Sequence, residues 1–274
     1  MTDGQGQLHR READFHDRWA VRTDLASVQV TAAFEATTAP ENRFIVNAIG
    51  DLRGARVLDL GAGLGESSVY FALRGADVTM ADLSPEMVAL AADLGKHHGV
   101  RISTLVGAAE TIEAPSSSFD VVYMANLLHH VTDRDQLFRT VRRVLKPGGR
   151  FFSWDPLAYN PVINVYRRVA TAVRTPDESP LTFADLAVAR RHFVDVGHRE
   201  FWILSLALFL KYYAVDRVHP NADRYWKRIL REREDRLGWF RALQRADAIL
   251  TRLPVVRRLA WNMVMWGTKA REGG

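Results

Sequence analysis

The chain has 274 residues and a formal net charge of +5, with 47% hydrophobic and 25% charged residues. This composition is ordinary for a folded globular protein and excludes disorder over most of the chain. The absence of cysteine excludes disulfides, thiolate metal ligands and cysteine nucleophiles. The sequence opens without an apolar signal region, and its longest apolar run, residues 201–210, is too short to cross a bilayer. We therefore expect a cytoplasmic protein.

The positive charge is concentrated near the C-terminus. Residues 211–274 contain 15 Lys and Arg against 7 Asp and Glu, whereas the rest of the chain is slightly acidic. Such asymmetry is typical of a face that meets nucleic acid or an anionic membrane, and it is equally typical of a solvated helical surface. We expect no nucleic-acid partner, and we keep peripheral contact with an anionic membrane open.

The first part of the chain predicts helices followed by an alternation of strands and helices. Residues 8–50 read as helical, with Pro40 at the start of one helix. Short apolar strands are predicted at 56–60, 77–81, 101–106, 119–124 and 150–154. Helices are predicted at 65–73, from Ser84-Pro85 onward, and at 133–145. This alternation indicates a parallel sheet covered on both faces.

The pattern changes after the fifth predicted strand. Residues 160–174 and 182–192 read as helices, and 194–202 as a sixth strand. Residues 204–253 have apolar residues near helical spacing and read as a helical block. Residues 259–269 alternate and predict a last strand.

A glycine-rich turn follows the first strand, with Gly61, Ala62 and Gly63 leading into the next helix. Glycine permits the tight turn and lets a ligand approach the backbone, as in nucleotide-binding folds. The dinucleotide fingerprint needs a third glycine, and this chain has Glu66 at that position. The turn alone is weak evidence, but it predicts a nucleoside site.

Carboxylates around this turn favour a cationic ligand. Asp59 and Glu66 flank the turn and would repel a pyrophosphate. Asp82 ends the second strand, where an acid can accept hydrogen bonds from both ribose hydroxyls. S-adenosylmethionine has no phosphate and carries a sulfonium and an ammonium, so we predict it as the cofactor.

Further motifs occur in order along the chain. They comprise residues 81–87 (ADLSPEM), 107–110 (GAAE), 119–122 (FDVV), 126–131 (NLLHHV) and 145–149 (LKPGG). With these motifs, residues 41–156 resemble the class I S-adenosylmethionine-dependent methyltransferases, in particular the broad group related to quinone-biosynthesis C-methyltransferases.

The resemblance implies several cofactor contacts. Adenine contacts are implied for Leu83, Met87, Ala108 and Ala109, in a segment that continues to Glu110. Backbone contacts to the methionine part are implied for Ala125 and Asn126. Members of the family also often cover the cofactor with an N-terminal aromatic residue, for which Phe15 and Trp19 are the candidates.

One departure from the family pattern indicates how the acceptor site is built. About fifty mostly helical residues separate the last two predicted strands, and we expect them to form a lid over the carboxyl ends of the strands. The predicted fold is a Rossmann-like class I α/β fold with a seven-stranded, mostly parallel sheet and this helical insertion. We divide the chain into N-terminal helices (1–50), an α/β core (51–203), the insertion (204–255) and a final core strand (256–274).

The catalytic candidates follow the fourth and fifth strands. His129 and His130 are candidate bases at the sulfonium end of the cofactor, although packing is an alternative for both. Trp154 and Tyr159 are candidates to line the acceptor pocket. We predict no metal site.

Three functions remain open from the sequence. The first is methylation of a small, apolar, lipid-like or polyketide-like acceptor by direct displacement. The second is methylation of RNA or protein through the basic C-terminal region. The third is a protein of this fold that binds the cofactor without transferring a methyl group.

Overall fold

A computed structural model of the chain describes residues 3–171, 175 and 178–271. One seven-stranded sheet forms the centre of the molecule, in the order β3-β2-β1-β4-β5-β7-β6. The strands are β1 (Arg56–Leu60), β2 (Asp77–Asp82), β3 (Ser103–Val106), β4 (Phe119–Ala125), β5 (Leu145–Pro156), β6 (Val194–Phe201) and β7 (Asn262–Thr268). Only β7 runs antiparallel to its neighbours, β5 and β6. The predicted fold class is confirmed.

The helices cover both faces of the sheet and its carboxyl edge. They are α1 (Asp3–Val21), α2 (Ala32–Glu35), α3 (Pro40–Ile49), α4 (Glu66–Leu73), α5 (Pro85–His97), α6 (Arg134–Val144), α7 (Pro161–Val169), α8 (Asp185–Arg190), α9 (Ala207–Ala214), α10 (Tyr225–Arg228) and α11 (Gly238–Leu250). Ser84 caps α5 by accepting a hydrogen bond from the backbone N–H of Met87, and Pro85 fills its first turn, as predicted.

Several predicted boundaries are wrong. β5 begins at Leu145 rather than at Arg150, because the segment predicted to stop the preceding helix already pairs in the sheet. The helix predicted over 160–174 ends at Val169, and residues 172–174 lie outside the described part of the chain. The helix predicted over 182–192 is reduced to Asp185–Arg190, since the carboxylate of Asp185 accepts a hydrogen bond from the Thr182 backbone and holds that residue in a turn.

Two hydrophobic clusters lie on opposite faces of the sheet, and a third lies in the helical insertion between β6 and β7. The insertion cluster is aromatic and contains Trp202, Phe209, Tyr212, Tyr225 and Phe240. Asp247 of α11 joins the insertion to the end of β6 by accepting hydrogen bonds from the backbone N–H groups of residues 203–205 and from the hydroxyl of Ser205. The insertion is therefore a packed body with its own core.

No helix in the described ranges combines the length and apolar character that crossing a membrane requires.

Candidate functional site

The glycine turn after β1 has the left-handed backbone that its sequence predicts. Gly61, Gly63 and Gly65 have φ values of +72°, +52° and +84°. A Cβ at Gly65 would lie 2.4 Å from the Cβ of Ala91, so α4 can approach α5 only with glycine there. A Cβ at Gly63 would meet nothing within 4 Å. The turn is thus held by packing at Gly65 and leaves the Gly63 backbone open to a ligand.

Asp82 joins the first two strand-to-helix turns. Its Oδ2 accepts a hydrogen bond of 2.8 Å from the Gly63 N–H, and its Oδ1 accepts one of 2.9 Å from the Ser84 N–H. The carboxylate is half-buried at the carboxyl end of β2. It therefore lies beside the glycine turn, as the predicted ribose role requires.

Asp59 is placed differently from the expectation. Its side chain is buried, and its Oδ2 accepts hydrogen bonds from the hydroxyls of Ser67 (2.6 Å) and Ser68 (2.5 Å). Burial raises the pKa of Asp59 to about 6, although both serine hydrogen bonds oppose the shift. Asp59 anchors the first turn of α4 and does not line the cavity described below.

Glu66 lines the cavity but is already paired with a cation. Its Oε1 forms an ion pair with Nζ of Lys227, which lies on α10 of the insertion. The predicted contact of Glu66 with a positively charged ligand stays a prediction, and such a ligand would compete with Lys227 for the carboxylate. The pair joins the insertion to the glycine turn.

A single cavity lies over the carboxyl ends of β1, β4 and β5. It is bounded by the glycine turn, by α1 and by the insertion. The predicted site residues that line it are Phe15, Trp19, Gly61, Ala62, Gly63, Glu66, Ala125, Asn126, His129, His130 and Trp154. The structure thus places predicted cofactor-binding residues, both candidate histidines and predicted acceptor-pocket residues around one cavity.

Seven other predicted residues lie outside this lining in addition to Asp59: Asp82, Leu83, Met87, Ala108, Ala109, Glu110 and Tyr159. Met87 packs in a small cluster with Ala20 and Leu64 under α1. Glu110 is buried, with Oε1 3.7 Å from Nε2 of His9.

Tyr159 does not face the acceptor pocket. Its ring stacks on Phe183, and its hydroxyl accepts a hydrogen bond from the Phe183 N–H. The prediction that Tyr159 lines the pocket is wrong, because β5 ends at Pro156 and the chain then turns toward α8.

The backbone at the end of β4 turns sharply over the cavity. Asn126 has φ +52°, an uncommon conformation for a residue with a side chain, and its N–H donates to the carbonyl of Trp154. Trp154 donates from Nε1 to the hydroxyl of Tyr123, which in turn donates to Asn42. This chain of hydrogen bonds fixes both the floor of the cavity and the orientation of Trp154.

The two candidate histidines differ in their surroundings. His129 is buried, with Nδ1 2.7 Å from Oδ1 of Asp155, and the same oxygen accepts a hydrogen bond from the His129 backbone. Burial raises the pKa of Asp155 to about 7, against the effect of the His129 backbone hydrogen bond. Asp155 therefore fixes the position of the His129 ring.

His130 faces α1. Its Nδ1 lies 3.3 Å from Oε2 of Glu12, and Nε2 of His16 lies 3.7 Å from the same oxygen. Burial alone would lower the pKa of His130, but the Glu12 carboxylate raises it above its ordinary value. Burial lowers the pKa of His16. Three ionisable groups thus meet where α1 crosses the cavity.

Comparison with known proteins shows which family of domains the α/β core resembles. Residues 58–153 match the family model described as a methyltransferase domain. The chain is 43% identical over 108 residues to a ubiquinone biosynthesis O-methyltransferase of Xanthomonas oryzae, which covers 39% of this chain and 45% of the relative. It is 35% identical over 131 residues to a ubiquinone/menaquinone biosynthesis C-methyltransferase of Vibrio campbellii, covering 45% and 51%.

Residues 58–153 therefore form a methyltransferase domain within the α/β core. The chain spans about half the length of the curated relatives that it matches. The cofactor of this domain is S-adenosylmethionine, as predicted.

Solved structures show the same fold for this methyltransferase domain. Phosphoethanolamine N-methyltransferase 2 of Haemonchus contortus superposes with a TM-score of 0.60 at 18% identity, covering 95% of this chain and 60% of that one. A [4+2]-cyclase superposes with a TM-score of 0.54 at 21% identity, covering 87% and 84%. An N-methyltransferase and a cyclase therefore share this architecture.

Sequence reasoning missed several residues that line or support the site. Glu12 and His16 lie on α1, and Glu41 lies on α3 at the acceptor end of the cavity. The spacing of four between Glu12 and His16 places them on one face of a helix, and it was the available signal for that pair. Lys227 has no local signal, because its partner Glu66 is distant in sequence.

Proposed function

We propose that this chain transfers the methyl group of S-adenosylmethionine to a small, largely apolar acceptor. The observation that carries the proposal is the continuity of one cavity. It begins at the glycine turn and the end of β4, and it continues to aromatic residues of α7 and the insertion. A donor and an acceptor held in one cavity can meet in line, and such alignment contributes several kcal/mol, up to about 7–11, to a bimolecular reaction.

The half of the cavity near the turn fits the cofactor. The Gly63 backbone is open, and the Asp82 carboxylate lies next to it to accept ribose hydroxyls. Ala125 and Asn126 line the same side and would contact the methionine part. Adenine contacts by Leu83, Met87, Ala108 and Ala109 remain a prediction from the family resemblance.

The other half of the cavity supports an apolar acceptor. It is lined by Tyr166, Trp202, Trp226 and Trp261, all contributed from outside the methyltransferase domain. Aromatic walls with few polar groups are typical of sites for apolar small molecules.

Polar residues also line the cavity, and two of them, Glu41 and Asn262, meet in one corner. Glu41 Oε1 accepts a hydrogen bond of 2.6 Å from Nδ2 of Asn262, and burial raises the pKa of Glu41 to about 7. Both residues line the cavity. We infer that the acceptor carries one polar group that meets this corner.

When bound, S-adenosylmethionine supplies an electrophilic methyl group, and displacement by the acceptor breaks its carbon–sulfur bond and leaves S-adenosylhomocysteine. We assign α1 and the insertion the role of orienting the acceptor. His130 and His129 lie beside the end of β4 that faces the methionine part. We assign His130 contact with the acceptor, and we assign His129, fixed by Asp155, the role of holding this segment in place.

Labelled-methyl transfer tests the proposal. The full chain is incubated with methyl-labelled cofactor and fractionated cell extract. Label in organic-soluble small molecules is the expected result. Label in RNA or protein instead would overturn the acceptor class, and it would favour the basic insertion as a docking face. Cofactor binding without any label transfer would overturn the transfer activity and favour changed chemistry on this fold.

We also propose that the insertion contacts anionic membrane surfaces, from which an apolar acceptor would be taken. Leu253 and Val255 are 52% and 79% exposed in the loop after α11, and Arg252 and Arg258 are exposed beside them. Exposed apolar groups next to cations suit an anionic lipid surface. Flotation with phosphatidylserine vesicles should be salt-sensitive and should weaken in a Leu253→Ser/Val255→Ser variant. Two results would overturn the contact. One is flotation with neutral vesicles that equals flotation with phosphatidylserine vesicles, and the other is no flotation with phosphatidylserine vesicles.

A further inference from the structure

Three ligand-type side chains converge where α1 crosses the end of β4. Glu12 and His16 are four residues apart and lie on one face of α1. His130 comes from the turn after β4. The Oε2 of Glu12 is 3.3 Å from Nδ1 of His130 and 3.7 Å from Nε2 of His16. The three side chains thus share one small volume.

Polar atoms in this group are buried without a hydrogen bond. Among the described residues, Oε2 of Glu12 and Nδ1 of His130 have no hydrogen-bond partner, despite their separation of 3.3 Å. Glu12 is only 6% exposed, so its carboxylate has little contact with bulk solvent. Buried polar atoms in folded proteins are nearly always satisfied, and an unsatisfied group of this kind points to a ligand.

We propose that Glu12, His16 and His130 bind a divalent transition-metal ion of the zinc class. Donor atoms at about 2.0–2.2 Å around a tetrahedral ion lie roughly 3.3–3.6 Å from one another. The observed separation of 3.3 Å between Glu12 and His130 falls in this range, and that of 3.7 Å between Glu12 and His16 lies just outside it. Two imidazoles with one carboxylate suit zinc or ferrous iron, whereas magnesium and calcium prefer oxygen ligands alone.

A neighbouring set of residues is a weaker candidate for the same role. His129, His130 and Glu178 also bring ligand atoms within 4.8 Å of one another. However, Nδ1 of His129 is held by Asp155 at 2.7 Å, and Glu178 forms an ion pair of 3.0 Å with Arg167. These groups already have strong partners. The geometry therefore favours the set that contains Glu12.

The proposed ion would be open to the acceptor. His16 and His130 line the cavity, whereas Glu12 lies behind them and outside the lining. Three protein ligands leave at least one position free, which is the arrangement of catalytic rather than structural sites. Because two of the three ligands line the cavity, we expect the free position to face the acceptor.

This inference rests on the proposed function and names the acceptor class as hydroxylated. A hydroxyl oxygen bound to the ion loses its proton to solvent more readily. The resulting oxygen lone pair forms the new bond to the methyl carbon, while the carbon–sulfur bond breaks and its electron pair stays on sulfur. The methyl group is transferred and no oxidation occurs.

Metal binding can be measured without any methyl acceptor. The full chain, untagged and treated with a chelator, is titrated with Zn²⁺ alone by calorimetry at fixed pH, with elemental analysis after dialysis. We expect one equivalent to bind. Glu12→Gln and His16→Asn should each weaken binding at least tenfold, since each removes one of three ligands. His97→Asn, a change of an exposed histidine at the end of α5, is the matched control and should leave binding unchanged.

S-adenosylmethionine calorimetry on the same samples separates the two proposals. Retained cofactor binding in Glu12→Gln and His16→Asn shows that the variants are folded. Zinc binding that is absent in the wild type, or equal in wild type and both variants, overturns the metal site and leaves the proposed function standing. Absence of cofactor binding in the wild type overturns the proposed function and leaves the zinc result to stand on its own.

Discussion

The floor and the cover of the cavity are built in different ways. The floor comprises the glycine turn and the ends of β1, β2 and β4, and its hydrogen bonds join segments of the methyltransferase domain, such as Gly63 to Asp82. The cover comprises α1 and the insertion, and it is held by contacts between residues far apart in sequence, such as Lys227 with Glu66 and Thr37 with Glu234. A fixed floor with a separately attached cover allows one donor site to serve different acceptors.

Substitution at Gly65 should have the largest effect on stability, because the floor is packed most closely there. Gly65→Ala combines an unfavourable positive φ with a clash against Ala91, and we expect it to lower the free energy of unfolding by about 4 kcal/mol. Urea denaturation measures the loss.

Gly63→Ala is the matched control in the same turn. It has positive φ but open space around the new Cβ, and it should cost only about 1 kcal/mol of stability. Equal losses in the two variants would contradict the assignment of packing to Gly65 and ligand access to Gly63.

Glu41, where α3 meets the cavity, should make stability depend on pH. Its folded pKa of about 7 lies above the ordinary value of 4.5, so the folded state binds the proton more tightly than the unfolded state. The contribution of this group to stability is therefore fully present below about pH 4.5 and is lost as pH rises through about 7.

Glu41→Gln removes the charge and keeps an oxygen to accept from Asn262. At pH 8 we expect this variant to be more stable than the wild type by about 3 kcal/mol, and at pH 4.5 the difference should approach zero. Denaturation at the two pH values checks this. A difference that is independent of pH would contradict the assignment.

Asp247→Ala tests how the cover is attached. The carboxylate accepts three backbone hydrogen bonds and one from Ser205, so its loss should cost about 2 kcal/mol. Hydrogen exchange at the amides of residues 203–205 should accelerate while the amides of β1 and β4 stay protected. The exposed pair of Arg233 and Asp235 supplies the control, since Asp235→Ala should change stability by less than about 0.5 kcal/mol. Uniform acceleration over floor and cover would show that they are not separable.

The ion pair of Lys227 with Glu66 should have the smallest effect on stability. Lys227 is 31% exposed, and pairs of this kind contribute about 1 kcal/mol or less. A double-mutant cycle with Lys227→Met and Glu66→Gln measures the coupling. A coupling above about 2 kcal/mol would show that cover and floor are joined more tightly than their contacts indicate.

The sequence predicts the floor well because its signals are local. Glycines at fixed spacing, Asp82 at a strand end and Ser84-Pro85 at a helix start each specify a turn within a few residues. Local signals do not specify a partner that is chosen by the tertiary fold. Glu66 is paired with a lysine 161 residues away, and Tyr159 turns toward Phe183.

The sequence does not predict which residues meet under the cover, because their partners are also chosen by the tertiary fold. Glu12 and His130 are 118 positions apart, and nothing near either one indicates the other. The sequence indicates only that Glu12 and His16 lie on one face of a helix. That face becomes part of a cluster because α1 crosses the end of β4, where His130 lies. The sequence therefore predicts no metal site, and it is the contact between α1 and the end of β4 that brings these three side chains together.

Calorimetric titration with S-adenosylmethionine tests the central claim most directly. The wild type should bind one equivalent, and Asp82→Ala should bind at least tenfold more weakly, because the carboxylate both accepts the ribose hydroxyls and holds the Gly63 N–H. Asp77→Ala, at the exposed start of the same strand, should bind like the wild type. Absence of binding by the wild type, or equal binding by the wild type and Asp82→Ala, would contradict the account.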